Sequence, residues 1–170
     1  MFTDPARTPD VEALARRLPR GAALVYRAFG APDAEATARR LRAIARRRGL
    51  KLLIGADAGL AARIGADGVH LPERLAHQAP RLARRGWLVT AAAHSVRAAR
   101  ARGVDAVVVS AVFPSASASA GRPLGPVKLA SVVRAAGRPV YALGGVTDKT
   151  ARRLLPTGVI GVAGVDAFRT

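Results

Sequence analysis

Cysteine is absent from all 170 residues. That excludes a disulfide framework and a thiolate nucleophile, and it fits a reducing compartment. Long apolar runs are missing too: none approaches the ~20 residues of a membrane span. Met1-Phe2-Thr3-Asp4-Pro5 brings an acid and a proline where a signal peptide would be apolar. The expected location is the cytoplasm. Acidic residues are few, 11 against 28 Lys and Arg, for a formal charge of +17. Lysine is scarce as well, being confined to Lys51, Lys128 and Lys149, so arginine carries the charge. Aromatic residues make up only 4% of the chain. Basic patches without interleaved aromatics have no platform for stacking bases, which argues against a nucleic-acid partner. Arg39, Arg40, Arg46, Arg47 and Arg48, like Arg97, Arg100 and Arg102, fall at helix-exterior positions. They read as solvated faces that would still steer phosphorylated ligands towards the protein.

What the chain has in quantity is apolar residues, at 50%, and glycine placed just before short apolar runs. Gly103-Val104-Asp105 precedes Ala106-Val107-Val108-Val109-Ser110, and similar runs follow Gly21, Gly49, Gly65, Gly86, Gly137 and Gly158. A glycine ends a helix in the left-handed region without a Cβ clash. A continuous rather than alternating apolar run predicts a strand covered on both faces, as in a parallel sheet. Strands are expected at Phe2–Asp4 (a stub), Ala22–Ala28, Leu50–Ile54, Gly68–Leu71, Trp87–Ala92, Asp105–Ser110, Val140–Leu143 and Val159–Val162. Helices are expected between them. One starts at Thr8-Pro9-Asp10, with the Thr8 hydroxyl as its cap, Pro9 at its first position and Leu14 and Leu18 inward, and another is capped by Asp33 with Leu41, Ile44 and Ala45 inward. Others cover Arg74–Arg85, Val96–Arg102 and Val127–Ala136, and a last one opens at Thr147-Asp148 with Ala151, Leu154 and Leu155 inward. Eight βα units predict one (β/α)8 TIM-barrel domain over residues 1–170, short at both ends, with a stub first strand and almost no eighth helix. A doubly wound open sheet is the alternative.

In such a barrel the site lies at the C-terminal ends of the strands. Those positions are Asp4, Arg27, Gly55 to Asp57, His70 to Glu73, Ala92 to Ser95, Ser110 to Gly125, Gly144-Gly145 and Gly164 to Asp166. His94, just before a helix cap, has the chemistry of an acid or base near neutrality. A hydrogen-bonded turn histidine fits the same pattern. His70 lies inside an apolar strand and reads as a core residue. Gly144-Gly145 could bring backbone N–H groups to an anion, or simply make a tight turn. Ser115, Ser117 and Arg122 lie in a long loop rich in Ser, Ala, Gly and Pro, and they could hold a phosphate. Asp57 and Glu73 do not make a metal cluster, and neither a P-loop nor a nucleophile elbow occurs.

Read together, Phe2-Thr3-Asp4, Leu24-Val25-Tyr26-Arg27, Gly65-Ala66-Asp67-Gly68-Val69-His70-Leu71, Ala93-His94-Ser95, Val112-Phe113-Pro114-Ser115, Pro123-Leu124-Gly125 and Leu143-Gly144-Gly145-Val146-Thr147 resemble the thiamine phosphate synthase family, which includes the TenI-type thiazole tautomerases. The resemblance spans nearly the whole chain. It implies the (β/α)8 barrel and a small phosphorylated thiazole or pyrimidine ligand, and it is compatible with a homo-oligomer. It also implies Mg²⁺ on a diphosphate wherever the synthase reaction is retained. Carried over residue by residue, the family's Gln-Phe-Arg-Glu-Lys reads Val25-Tyr26-Arg27-Ala28-Phe29, so the arginine survives. The family's Asn-Asp reads Gly55-Ala56, and the second Mg²⁺ aspartate falls at Leu75. The Thr-x-Thr-Lys loop reads Ser115-Ala116-Ser117-Ala118, with Arg122 able to replace the lost charge. The thiazole-phosphate end falls on Gly144-Gly145 and on Val165-Asp166, where an aspartate stands in place of the family's serine.

The losses share a direction. The Mg²⁺-diphosphate half is gone, and His94, which the resemblance gives to proton transfer, remains. The expected function is acid/base chemistry on a thiazole (phosphate) ligand in thiamine biosynthesis, with no metal or cofactor of its own. The alternatives are a true synthase with a rearranged site and a catalytically inactive barrel with a binding or regulatory role.

Overall fold

The computed structural model describes residues 1–83, 85–115 and 121–165. They form two compact units, Met1–His70 with Val165, and Leu71–Gly164.

The first unit carries strands β1 (Ala23–Tyr26), β2 (Lys51–Gly55) and all but the last residue of β3 (Gly68–Leu71). All three are parallel and adjacent in chain order, with Tyr26 beside Ile54 and Ile54 beside Val69. Between them run helices α1 (Val11–Arg17), α2 (Ala34–Arg48) and α3 (Ala58–Ile64). Leu24, Leu52, Leu53, Ile54 and Val69 are fully buried, as both-face covering requires. Each such side chain contributes roughly 2 kcal/mol of apolar burial. The expected first strand is reduced to a single parallel bridge, Phe2 to Val25. On α2, Leu41, Ile44 and Ala45 face inward as expected. Arg39 and Arg63 pair with Glu35, and Arg40 with Glu12, on its exposed side. Two caps differ from expectation. The α1 cap is Asp10, whose carboxylate accepts the Ala13 N–H at 2.8 Å. Thr8 is buried, and its hydroxyl bonds the Asp4 backbone instead. Asp33 makes no side-chain bond to the helix backbone and takes the Thr37 hydroxyl at 2.7 Å.

The second unit carries β4 (Leu88–Ala93), β5 (Ala106–Val109), β6 (Val140–Leu143) and β7 (Gly161–Ala163), again parallel and in chain order. Its helices are α4 (Ala79–Ala83), α5 (Val96–Ala99), α6 (Gly125–Ala136) and α7 (Asp148–Ala151). The helix expected over Arg74–Arg85 is a 3-10 turn, Glu73–Gln78, that runs into α4. The helix expected after Thr147 is α7 followed by a 3-10 turn, Arg152–Thr157. Pro156 lacks an N–H and cannot continue an α ladder, and the tighter turn changes the phase. Leu154 is therefore buried but Leu155 is 81% exposed, contrary to the sequence expectation. The last strand also differs: Ile160 and Val162 are exposed, so this apolar run is not covered on both faces.

One device recurs in both units. The motif Gly-x-Asp stands just before β3 and just before β5. Asp67 donates its backbone N–H to the Leu52 carbonyl at 2.9 Å, and its carboxylate accepts the Leu52 N–H at 2.8 Å. Asp105 does the same to Val89, at 2.8 and 2.7 Å. Each aspartate clips a strand's start to its predecessor and so sets the register. Gly65, at φ +62°, gives the left-handed turn that lets its clip follow directly on α3.

Candidate functional site

The register of the second unit builds its strand-end chemistry. Ala93 is opposite Val109, so the next residues, His94 and Ser110, stand side by side. The Ser110 N–H reaches the Ala93 carbonyl at 3.3 Å, which extends the pairing one residue beyond the strands. His94 Nε2 lies 3.3 Å from Ser110 Oγ. On its other side Glu73 Oε2 accepts the His94 backbone N–H at 2.8 Å and lies 2.8 Å from Nδ1. Glu73 reaches that place because Pro72, in extended conformation, ends the run from β3 and begins the 3-10 turn. The side chains of His94 and Glu73 are 54% and 39% exposed, so the row is open to a ligand. Ser95 caps α5 through Ala98.

Beside this row, residues 111–113 are sewn to the end of β6. The Val112 N–H donates to the Leu143 carbonyl and the Phe113 N–H to the Gly144 carbonyl, both at 3.0 Å. The Leu124 and Gly125 N–H groups return to the Ala111 and Val112 carbonyls. Gly145, at φ +63°, packs directly on this loop. A Cβ there would come within 2.8 Å of Phe113 Cβ and would also strike the Pro114 carbonyl oxygen. The glycine pair therefore permits a close backbone approach. Thr147 and Thr150 form a reciprocal capping box, and the Thr150 hydroxyl also donates to the Gly145 carbonyl. Arg153 lies over the buried Phe113 ring, 5.3 Å from its centroid.

The other expected site residues are dispersed. Ser115 is half-buried and Arg122 exposed, both within the second unit. Ser117 and Asp166 lie outside the described residues, and Val165 belongs to the first unit. Arg27 is in the first unit too. Its Nε donates to the Thr3 carbonyl at 2.7 Å, and Nη2 lies 3.4 Å from Asp4 Oδ2. Its guanidinium also lies over the Phe2 and Phe29 rings, at 5.7 and 5.0 Å. His70 is buried, with Phe2 edge-on at 4.8 Å. Burial, with the positive charges of Arg27 and the N-terminus adding to it, pulls its pKa down to about 3, so it is neutral at ordinary pH.

The positions that the family resemblance gives to Mg²⁺ are Ala56 and Leu75, with Asp57 one place after the first. Asp57 Oδ1 accepts the Leu60 N–H at 2.8 Å as the α3 cap. Ala56 and Leu75 offer no oxygen on their side chains. Among the described residues no three His, Cys, Asp or Glu side chains come together in a way that could hold a metal ion. Sequence reasoning placed Glu73 and Ser110 at strand ends but did not pair them with His94. The available signal was that His94 and Ser110 each directly follow one of two consecutive strands.

The match to known proteins bears on this arrangement directly. Residues 2–168 match the family described as thiamine monophosphate synthase. The chain belongs to that family. A putative thiamine-phosphate synthase 2 of Aquifex aeolicus is 32% identical over 77% of this chain and 73% of its own length. The thiamine-phosphate synthase of Pyrococcus furiosus is 29% identical over 98% of this chain and 84% of its own. Among solved structures, thiamine phosphate pyrophosphorylase from Pyrococcus furiosus superposes with a TM-score of 0.78 at 28% identity, covering 95% of this chain and 82% of that one. The fold class is therefore the α/β TIM-barrel type expected, which rules out the doubly wound sheet. No helix among the described residues is long and apolar enough to cross a membrane.

Proposed function

We propose that this member of the thiamine monophosphate synthase family is an enzyme of thiamine biosynthesis that moves protons on a bound thiazole phosphate, as a tautomerase does. His94 is its acid/base, and a cytoplasmic location goes with the reading. The observation that carries it is the His94 ring, half exposed at a strand end, with a carboxylate on one nitrogen and a hydroxyl on the other. Tautomerisation needs a group that can take up and return a proton, and an imidazole held in place meets that need. The synthase reaction asks for more. It must neutralise a departing diphosphate, and in the family Mg²⁺ does this. The two positions that the resemblance gives to that ion's carboxylates carry Ala56 and Leu75, and Asp57 is engaged as a helix cap. Within the second unit, Ser115 and Arg122, with Gly144-Gly145, are the proposed surroundings of the phosphate.

The test is to incubate the purified protein with a thiazole phosphate in its less stable, non-aromatic tautomer. Conversion to the aromatic form above the uncatalysed rate is expected. Saturable binding of the thiazole phosphate without conversion would replace this reading with a binding or regulatory barrel.

A further inference from the structure

Glu73 has a role that a simple turn does not require. One oxygen, Oε2, serves both the backbone N–H of His94 and its Nδ1, each at 2.8 Å. An ionised carboxylate can only accept, so Nδ1 must carry the proton. Nε2 is then the free lone pair, and the Ser110 hydroxyl, 3.3 Å away, is the donor to it. The order carboxylate, imidazole, hydroxyl is one in which a proton leaving the hydroxyl end leaves an imidazolium stabilised beside the carboxylate. All three groups lie in the second unit, and the pairing of β4 with β5 fixes the spacing of two of them.

We propose that Glu73 and Ser110 complete the proton-transfer group around His94, with Glu73 a positioning residue and the Ser110 hydroxyl the carrier of the proton between Nε2 and the ligand. The inference rests on the proposed tautomerase reading. In the forward half, Ser110 Oγ takes a proton from the ligand ring as its own proton passes to Nε2. This leaves an imidazolium against Glu73 and an anionic ligand. In the second half Nε2 returns its proton to Ser110, which delivers one to a different ring atom. No proton is gained or lost overall, as an isomerisation requires.

The test reads the imidazole separately from turnover. Nitrogen NMR of the protein labelled at histidine, at a pH where the ring is neutral, is expected to show His94 with a protonated Nδ1 and a bare Nε2. A protonated Nε2 in the wild-type protein overturns the assignment. Glu73→Leu should shift the ring towards the Nε2–H tautomer, and Glu73→Gln, which keeps an accepting oxygen, should largely restore Nδ1–H. An unchanged tautomer in Glu73→Leu removes Glu73 from the role. Ser110→Ala should lower kcat for thiazole tautomer conversion by about 10- to 100-fold at unchanged KM. An unchanged kcat removes Ser110 from the proton path. Absence of conversion by the wild-type protein overturns the relay step together with the proposed function, whereas the nitrogen spectrum still decides Glu73 by itself.

Discussion

The two units treat their strand-end polar groups in opposite ways. In the first, Arg27 is bonded to Thr3 and Asp4, Asp57 caps α3, and His70 is buried as a neutral ring. In the second, Glu73, His94 and Ser110 bond mainly to one another and stay half open to solvent. The contrast between the two histidines is the clearest. His70 is 7% exposed, and its environment disfavours the charged form. His94 is 54% exposed, with a Glu73 carboxylate oxygen 2.8 Å from its Nδ1. Strand-end groups absorbed by the fold contribute stability, and groups that face each other in the open are available for chemistry.

The largest effect that would sharpen this contrast is on turnover. His94→Ala should lower the rate of thiazole tautomer conversion by about 10²- to 10⁴-fold, with thermal unfolding almost unmoved because the side chain is half exposed. A variant that unfolds early would make His94 a structural residue like His70. The next effect is on stability against pH. His70 has a folded pKa of about 3, below the ordinary 6.5, so the unfolded chain binds the extra proton between those values. Stability is therefore complete above pH 6.5 and falls as the pH drops towards 3. Denaturant titrations at pH 7 and pH 5 should differ by about 2 kcal/mol from this group, and His70→Leu should remove much of the difference. An equal slope in the variant would show that His70 is not held neutral.

The clips come next. Asp67→Ala should cost about 2 to 4 kcal/mol, because it leaves both the Leu52 N–H and the largely buried Arg42 without their carboxylate. Asp105→Ala, which loses only the bond from Val89, should cost about 1 to 2 kcal/mol. Urea unfolding of both variants tests the order, and equal losses would mean that Arg42 adds nothing. The smallest effect is at Asp57: Asp57→Ala should lower stability by about 1 kcal/mol as a lost helix cap and leave tautomer conversion unchanged. A fall in turnover there would return Asp57 to the site.

Much of this was legible in the sequence because it depends on local chemistry. Glycine before an apolar run marked β1 to β6, and His70 was readable as core from the apolar residues around it. The motifs around Gly68 to Leu71, His94 and Gly144-Gly145 carried the family. Errors arose where tertiary context or helix phase decided the outcome. Leu155 is turned outward by the 3-10 turn at Pro156, and the α1 cap moved to Asp10 because Thr8 is engaged with Asp4. The pairing of Glu73 and Ser110 with His94 depends on the register between β4 and β5 and on the direction of the chain after Pro72. Neither is written in any one stretch of sequence. The glycine pair was readable as an anion site or as a turn, and the contact of Gly145 with Phe113 and Pro114 adds a packing reason for glycine there.

The central claim is that the proton-transfer half of the family's site is kept and the diphosphate half is not. The most direct measurement supplies the wild-type protein with pyrimidine-methyl diphosphate, thiazole phosphate and Mg²⁺, and follows thiamine phosphate while tautomer conversion is assayed in the same preparation. The account predicts tautomer conversion without formation of thiamine phosphate; robust, Mg²⁺-dependent formation of thiamine phosphate would contradict it.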